Sequence, residues 1–221
     1  MTSMPTFSIG PGTAVWLDAA GTVLHPAASV ASVYAAFARA RGYAVTATVL
    51  KPRLYEAMAM HRGLRAGDPS WRAYWRAVVR DAVGAQDEAL LDALYDHYAQ
   101  PSAWTIAPGA VDFITAAREA GSKVAMISNW DTRLRPMLAS MGLLEAFDTV
   151  VVSGEEGVEK PAAVIFERTA GRLAVPPDHS LMVGDDPVSD VQGARSIGAF
   201  VIRFGSDVMG FGELHELCSQ R

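Results

Sequence analysis

Three short apolar runs in this chain stop abruptly on polar residues. Ala14-Val15-Trp16-Leu17 ends at Asp18, Val124-Ala125-Met126-Ile127 ends at Ser128-Asn129, and Leu181-Met182-Val183 ends at Gly184-Asp185-Asp186. Each run is too short for a core helix and shows no helical period, so each reads as a strand buried on both faces. From residue 108 onward, strand-like runs alternate with amphipathic ones. The pattern predicts helices over 108–120, 131–141, 161–173 and 187–197, with Pro161 in the first turn of the third. It predicts strands over 123–127, 149–152, 180–183 and 200–203. Alternation with short links implies an α/β fold, a doubly wound parallel sheet of Rossmann-like type with helices on both faces. The C-terminal ends of such strands lie along one edge, where these folds place ligands.

The texture differs between the first strand and residue 101. Apolar residues fall at helical spacing over 29–41, 49–62, 70–83 and 87–98, with no strand signal among them. Ser29 suits an N-cap and Gly42 a C-terminal cap. Trp71, Tyr74 and Trp75 share one face and read as bundle core. The expected division is therefore an α/β core over 12–24 and 102–221, with an inserted all-α helical cap over 25–101. Residues 1–11, with Pro5, Gly10 and Pro11, read as a loose leader.

Composition narrows the function. The 221 residues carry a net charge of -5, which argues against nucleic-acid binding through phosphate contacts. One cysteine, Cys218, rules out an intramolecular disulfide and spells no zinc cluster. No signal peptide and no membrane-length apolar run is evident, so a cytoplasmic protein without a membrane partner is expected, as a monomer or homodimer. Half of the residues are hydrophobic, enough for one sizeable core and a smaller subdomain.

Asp18, Ser128-Asn129 and Asp185 share the expected sheet edge, and Lys160 precedes a helix on that edge. It is one of only three lysines, with Lys51 and Lys123. Carboxylates attract a hard cation such as Mg²⁺. A hydroxyl, an ammonium and helix-start N–H groups suit a phosphate. Phosphoryl transfer to an aspartate nucleophile is chemistry that this set can run.

These residues also form a recognisable series. Asp18-Ala-Ala-Gly-Thr22, Met126-Ile-Ser128-Asn-Trp-Asp131, Lys160-Pro161 and Gly184-Asp-Asp-Pro-Val-Ser-Asp190 occur in this order. In this the chain resembles the haloacid dehalogenase superfamily of hydrolases across residues 12–205, in the subfamily with a helical first-type cap. Leu24-His25-Pro26 and Arg72-x-x-Trp75 look similar to one subgroup of it. The resemblance implies a Mg²⁺-dependent, phosphatase-like hydrolase acting on a small phosphorylated metabolite. Asp18 would be nucleophile and metal ligand, joined at the metal by the backbone carbonyl of Ala20 and by Asp185. Asp186 competes with Asp185 for that role. Asp190 would hold a metal water or Lys160, or else serve a helix dipole. Ser128 and Asn129 would bind phosphate, and Lys160 would neutralise the nucleophile. Asp131 reads as an N-cap.

The series departs from the phosphatase pattern at Ala20. Phosphatases of this superfamily carry an Asp there, as general acid and base. Its loss implies weak activity, another proton donor such as His25, or a phosphate-binding regulatory protein without turnover. Phosphonoacetaldehyde hydrolase-like chemistry, which would need Lys51, and haloacid dehalogenase-like C–X cleavage are further alternatives. Arg62 and Arg65 could meet an anionic substrate.

Overall fold

A computed structural model describes residues 7–219; the first six residues of the expected leader lie outside them. The chain runs β1 (Ala14–Leu17), β2 (Leu24–Pro26), α1 (Val30–Ala40), α2 (Ala47–Met60), α3 (Arg72–Val83), α4 (Glu88–His97), β3 (Trp104–Ile106), α5 (Ala110–Glu119) and β4 (Lys123–Ser128). It continues through α6 (Leu134–Ser140), β5 (Thr149–Val152), α7 (Ser153–Glu156), α8 (Ala163–Leu173), β6 (Ser180–Gly184), α9 (Gly193–Arg195), β7 (Phe200–Arg203) and α10 (Phe211–Ser219).

Five strands form one sheet in the order β5-β4-β1-β6-β7. Every neighbouring pair is parallel. The chain winds outward from β1 through β4 to β5, then returns to the other side of β1 with β6. The order therefore reverses at β1, the switch point where such sheets open a crevice. The pleat sorts side chains strictly by parity. Val15, Leu17, Val124, Met126, Val150 and Leu181 pack in a core with residues of α5, α6 and α10. Trp16, Ala125, Ile127, Val151 and Met182 pack on the other face with Ile165 and Phe166 of α8. Burial on both faces is why these runs contain no polar alternation.

The helices of the expected cap, α1 to α4, have their own apolar cluster, built from Tyr34, Leu50, Leu54, Val78, Leu90 and Leu94 among others. The chain enters it through β2 and leaves through β3. These two strands pair antiparallel, Leu24 opposite Ile106 and Pro26 opposite Trp104, and form a two-stranded hinge ribbon. Three residues each is too short for a pattern to announce, and α10 likewise carries no motif. Gly42 does end α1 with a positive φ of 87°. Ser29 stands at its N-cap without a side-chain bond, so packing rather than capping starts that helix.

Several helices start later than expected, α3 at Arg72 and α5 at Ala110 among them. α6 opens at Leu134, because Asp131 to Arg133 form a turn around the Asp131 carboxylate. α8 opens at Ala163 with Pro161 outside it, because Asn129 holds the Lys160 backbone against the end of β4. The predicted 187–197 helix is a π-helical turn over Pro187–Gln192 followed by the short α9.

Candidate active site

Three adjacent strands deliver the site. Asp18 follows β1, Ser128 ends β4 and Asp185 follows β6, so neighbouring strand ends face one edge. Lys160 Nζ reaches in from the loop after α7 and donates to Asp18 Oδ1 at 2.6 Å, Asp190 Oδ1 at 2.5 Å and the Ile127 carbonyl at 2.8 Å. Three acceptors match the three protons of an ammonium. The side chain is buried, which a lysine tolerates only when paired.

The carboxylates are assembled by two close backbone approaches. Gly21 has a φ of 90°, and a Cβ there would run into the Asp185 carboxylate. A Cβ on Gly184 would strike Asp190. Glycine is thus required at both positions. One oxygen from each of Asp18, Asp185 and Asp190 lies within 4.8 Å of the others. Burial raises the Asp18 carboxyl to about 7, against the pull of Lys160 and with the push of Asp190. Asp185 is raised as well, by burial and then by Asp190. Burial opposes the charge on Lys160, but Asp18 and Asp190 outweigh it and its pKa is raised.

One ammonium among three carboxylates leaves negative charge in excess. The Ala20 carbonyl accepts no hydrogen bond among the described residues. Oxygen donors, negative charge and an open carbonyl fit a hard divalent cation.

The neighbouring acids divide by geometry. Asp186 caps the π-helical turn, its Oδ1 accepting from Val188 N at 2.8 Å and Ser189 N at 2.7 Å. Burial opposes its charge, but those N–H groups hold its carboxyl below the usual range. Asp190, buried, spends Oδ1 on Lys160 and Oδ2 on the Asp186 N–H. Ser128, buried at the end of β4, has a hydroxyl without a hydrogen-bond partner among the described residues. The Asn129 amide is engaged at both ends, accepting from Lys160 N at 2.8 Å and donating to Lys160 O at 2.9 Å. Its side chain sets the lysine loop.

A cavity of about 300 Å³ lies between α1–α4 and the core; it meets the sheet edge at Ala20 and Asn129, and Asp18, Lys160, Asp185 and Asp190 do not line it. Ala20, Asn129, Trp130 and Arg133 line it from the core, and Tyr34, Trp71, Tyr74, Trp75 and Tyr98 line it from the cap. Trp71, Tyr74 and Trp75 are thus cavity wall as well as bundle core. Helical spacing finds the buried face and not which part of it borders a void. Trp71 is also left-handed, with a φ of 51°, a strain of roughly 1–3 kcal/mol for such a residue. Arg65 lines the cavity too, stacked 4.6 Å from the Trp71 ring and paired with Glu159 at 3.1 Å. His25 and Lys51 do not line it; His25 sits in the hinge ribbon and Lys51 is exposed on α2.

Asp131, expected as an N-cap, instead ties cap to core. Its carboxylate accepts from Arg133 Nε at 2.8 Å, Arg133 Nη2 at 2.6 Å and Trp75 Nε1 at 2.9 Å. Arg133 also donates to the Tyr95 carbonyl at 2.6 Å and stacks 3.5 Å from the Tyr95 ring.

Residues 13–198 match the family model of haloacid dehalogenase-like hydrolases. The chain belongs to that family. It is 32% identical over 194 residues to the haloacid dehalogenase-like hydrolase domain-containing protein 3 of Xenopus laevis, covering 82% of this chain and 79% of that one. It is 32% identical over 146 residues to a phosphoserine phosphatase of Thermus thermophilus, covering 65% of this chain and 55% of that one. A crystallised dehalogenase superposes over 100% of both chains with a TM-score of 0.73 at 20% identity. This haloacid dehalogenase-like hydrolase is therefore an enzyme by family, with a phosphatase among its relatives. No helix among the described residues is long and apolar enough to cross a membrane.

Proposed function

We propose that this hydrolase removes phosphate from a small phosphorylated metabolite through an aspartyl-phosphate on Asp18, with Mg²⁺ as cofactor. The observation that carries this reading is the Lys160 ammonium bonded at once to Asp18 and Asp190, with the Asp185 carboxylate alongside. Asp18, Asp185 and the Ala20 carbonyl would hold the ion, whose charge would stabilise the transferring phosphoryl group. Asp190 acts on the site through Lys160. Lys160 holds one oxygen of Asp18, which leaves the other to attack phosphorus. Ser128 Oγ and backbone N–H groups beside Asn129 would take the phosphoryl oxygens. The residues divide on this reading into a core over 12–24 and 102–221 that does the chemistry and a cap over 25–101 that covers it.

Mg²⁺-dependent release of phosphate from a panel of phosphomonoesters, abolished by EDTA and by Asp18→Asn, is the expected outcome. Full activity of Asp18→Asn would sink the proposal. Ala20 favours one second reading, a phosphate-binding protein with little turnover, because the residue two positions beyond Asp18 borders the cavity without a titratable group of its own. Strong, EDTA-sensitive activity of the wild-type protein excludes that alternative.

A further inference from the structure

The cavity that borders the site at Ala20 and Asn129 is built for a ring. Its wall is aromatic on both sides, with Tyr34, Trp71, Trp75 and Tyr98 from the cap and Trp104 and Trp130 from the core side. An apolar cavity of roughly 150 Å³ already holds benzene. A space of about 300 Å³ therefore admits one ring with a substituent. Flat aromatic walls favour a planar apolar occupant through stacking and edge contacts.

Two polar atoms in this wall have no partner. Arg65 Nε and the Tyr98 hydroxyl are buried without a hydrogen bond among the described residues. Unpaired buried donors are uncommon and call for an acceptor. Arg65 pairs with Glu159 through Nη1 at 3.1 Å, so of its buried nitrogens only Nε lacks a partner. Arg133 does not compete for that acceptor, since its guanidinium is committed to Asp131 and the Tyr95 carbonyl.

Ala20 points the same way. It lies two residues beyond Asp18 and lines the cavity with a methyl. An alkyl phosphate expels an alkoxide, whose conjugate acid is about as weak as water, and needs a proton donor. A phenolate, with a conjugate acid near ~10, leaves without one.

Resting on the phosphatase reading above, we propose that the substrates are aryl phosphates, phosphomonoesters of an aromatic alcohol whose ring carries a hydrogen-bond acceptor. The ring fills the aromatic cavity, and the acceptor meets Arg65 and Tyr98. In the first step an Asp18 oxygen bonds to phosphorus. The bond from phosphorus to the aryl oxygen breaks, and its electron pair leaves on the phenolate. In the second step water attacks phosphorus and loses a proton, Asp18 regains its carboxylate, and phosphate departs. The phenolate takes up the released proton.

Calorimetry on the full chain with Mg²⁺ tests this with three non-hydrolysable probes: methylphosphonate, phenylphosphonate and 4-carboxyphenylphosphonate. Phenylphosphonate is expected to bind roughly tenfold or more tightly than methylphosphonate, from burial of the ring. The carboxylated ring is expected to bind tighter still, with that gain lost in Arg65→Met. Equal binding of the methyl and phenyl probes overturns the ring site. A carboxylate that adds nothing in the wild-type protein overturns the acceptor. Hydrolysis of glycerol 3-phosphate in preference to phenyl phosphate overturns this inference and leaves the Asp18 reading intact. Ring-selective binding with no turnover of any phosphomonoester supports the ring site and counts against that reading.

Discussion

At the scale of single residues, Ala20 and Lys160 carry the sharpest consequences. Restoring a carboxyl two residues beyond Asp18 supplies the missing proton donor. Ala20→Asp is therefore expected to raise kcat on alkyl phosphates by ~10²–10⁴-fold, read by phosphate release, with a smaller gain on phenyl phosphate. Lys160 pairs with two buried carboxylates at once. Lys160→Met removes the common partner of both. It is expected to abolish turnover and to cost about 3–5 kcal/mol of metal-free stability, measured from urea midpoints. Which residues gather at this sheet edge was largely legible here. Asp18, Asp185 and Lys160 stand at strand and loop ends, and a parallel sheet brings such ends together. The clamp role of Asn129 was not legible, because its partner is a backbone 31 residues away and an amide beside a strand end has several possible uses. The division of labour between Asp185 and Asp186 depended on which carboxylate met the N–H groups of the following turn.

At the scale of elements, the contact between α3 and the start of α6 decides how the cap sits on the core. Trp75 of α3 donates to Asp131, and the Asp131–Arg133 turn carries the α4 backbone through the Tyr95 carbonyl. Trp75→Phe keeps most of the apolar contact and removes one hydrogen bond. It is expected to cost about 1 kcal/mol and to speed amide exchange in α3 and α4 more than in β1 or β4. Equal protection throughout would show that this bond does not govern the cap. The helices and strands themselves were readable from periodicity, to within a few residues. The misplaced starts of α6 and α8 share one cause. In each, a side chain just after β4 bonds the backbone that precedes the helix: Asp131 bonds Arg133 two residues on, and Asn129 bonds Lys160 across the sheet edge. The three-residue strands β2 and β3 fall below the length at which a pattern has meaning.

At the scale of the molecule, the carboxylate cluster links stability, metal and pH. Burial lifts the Asp18 carboxyl from 3.8 to about 7, so the folded protein retains a proton that the unfolded chain releases. Without metal, the stabilisation from this group is complete below pH 3.8 and is lost as pH rises toward 7. Asp185 shifts in the same direction. Mg²⁺ must displace that proton, so its apparent affinity is expected to fall as pH drops below 7, by up to ~10-fold per unit. At 100 times Kd the ion adds about 2.7 kcal/mol, or ~5–10 °C in melting temperature. Thermal shifts with and without Mg²⁺ at pH 5.5 and 8 check this; a larger shift at the lower pH would refute it. The overall architecture was legible because burial on both faces leaves a continuous apolar run, a signature that few other settings produce.

The hinge ribbon has a kinetic meaning. β1 pairs with β4 across more than a hundred residues of chain, most of them in the cap. Closing so long a loop is entropically costly and slows folding. Once the cap helices collapse on their own local contacts, pairing Leu24 with Ile106 short-circuits the excursion. The loop that remains to be closed between β1 and β4 is then only the segments outside the ribbon, so the insertion adds little to the entropy of pairing them.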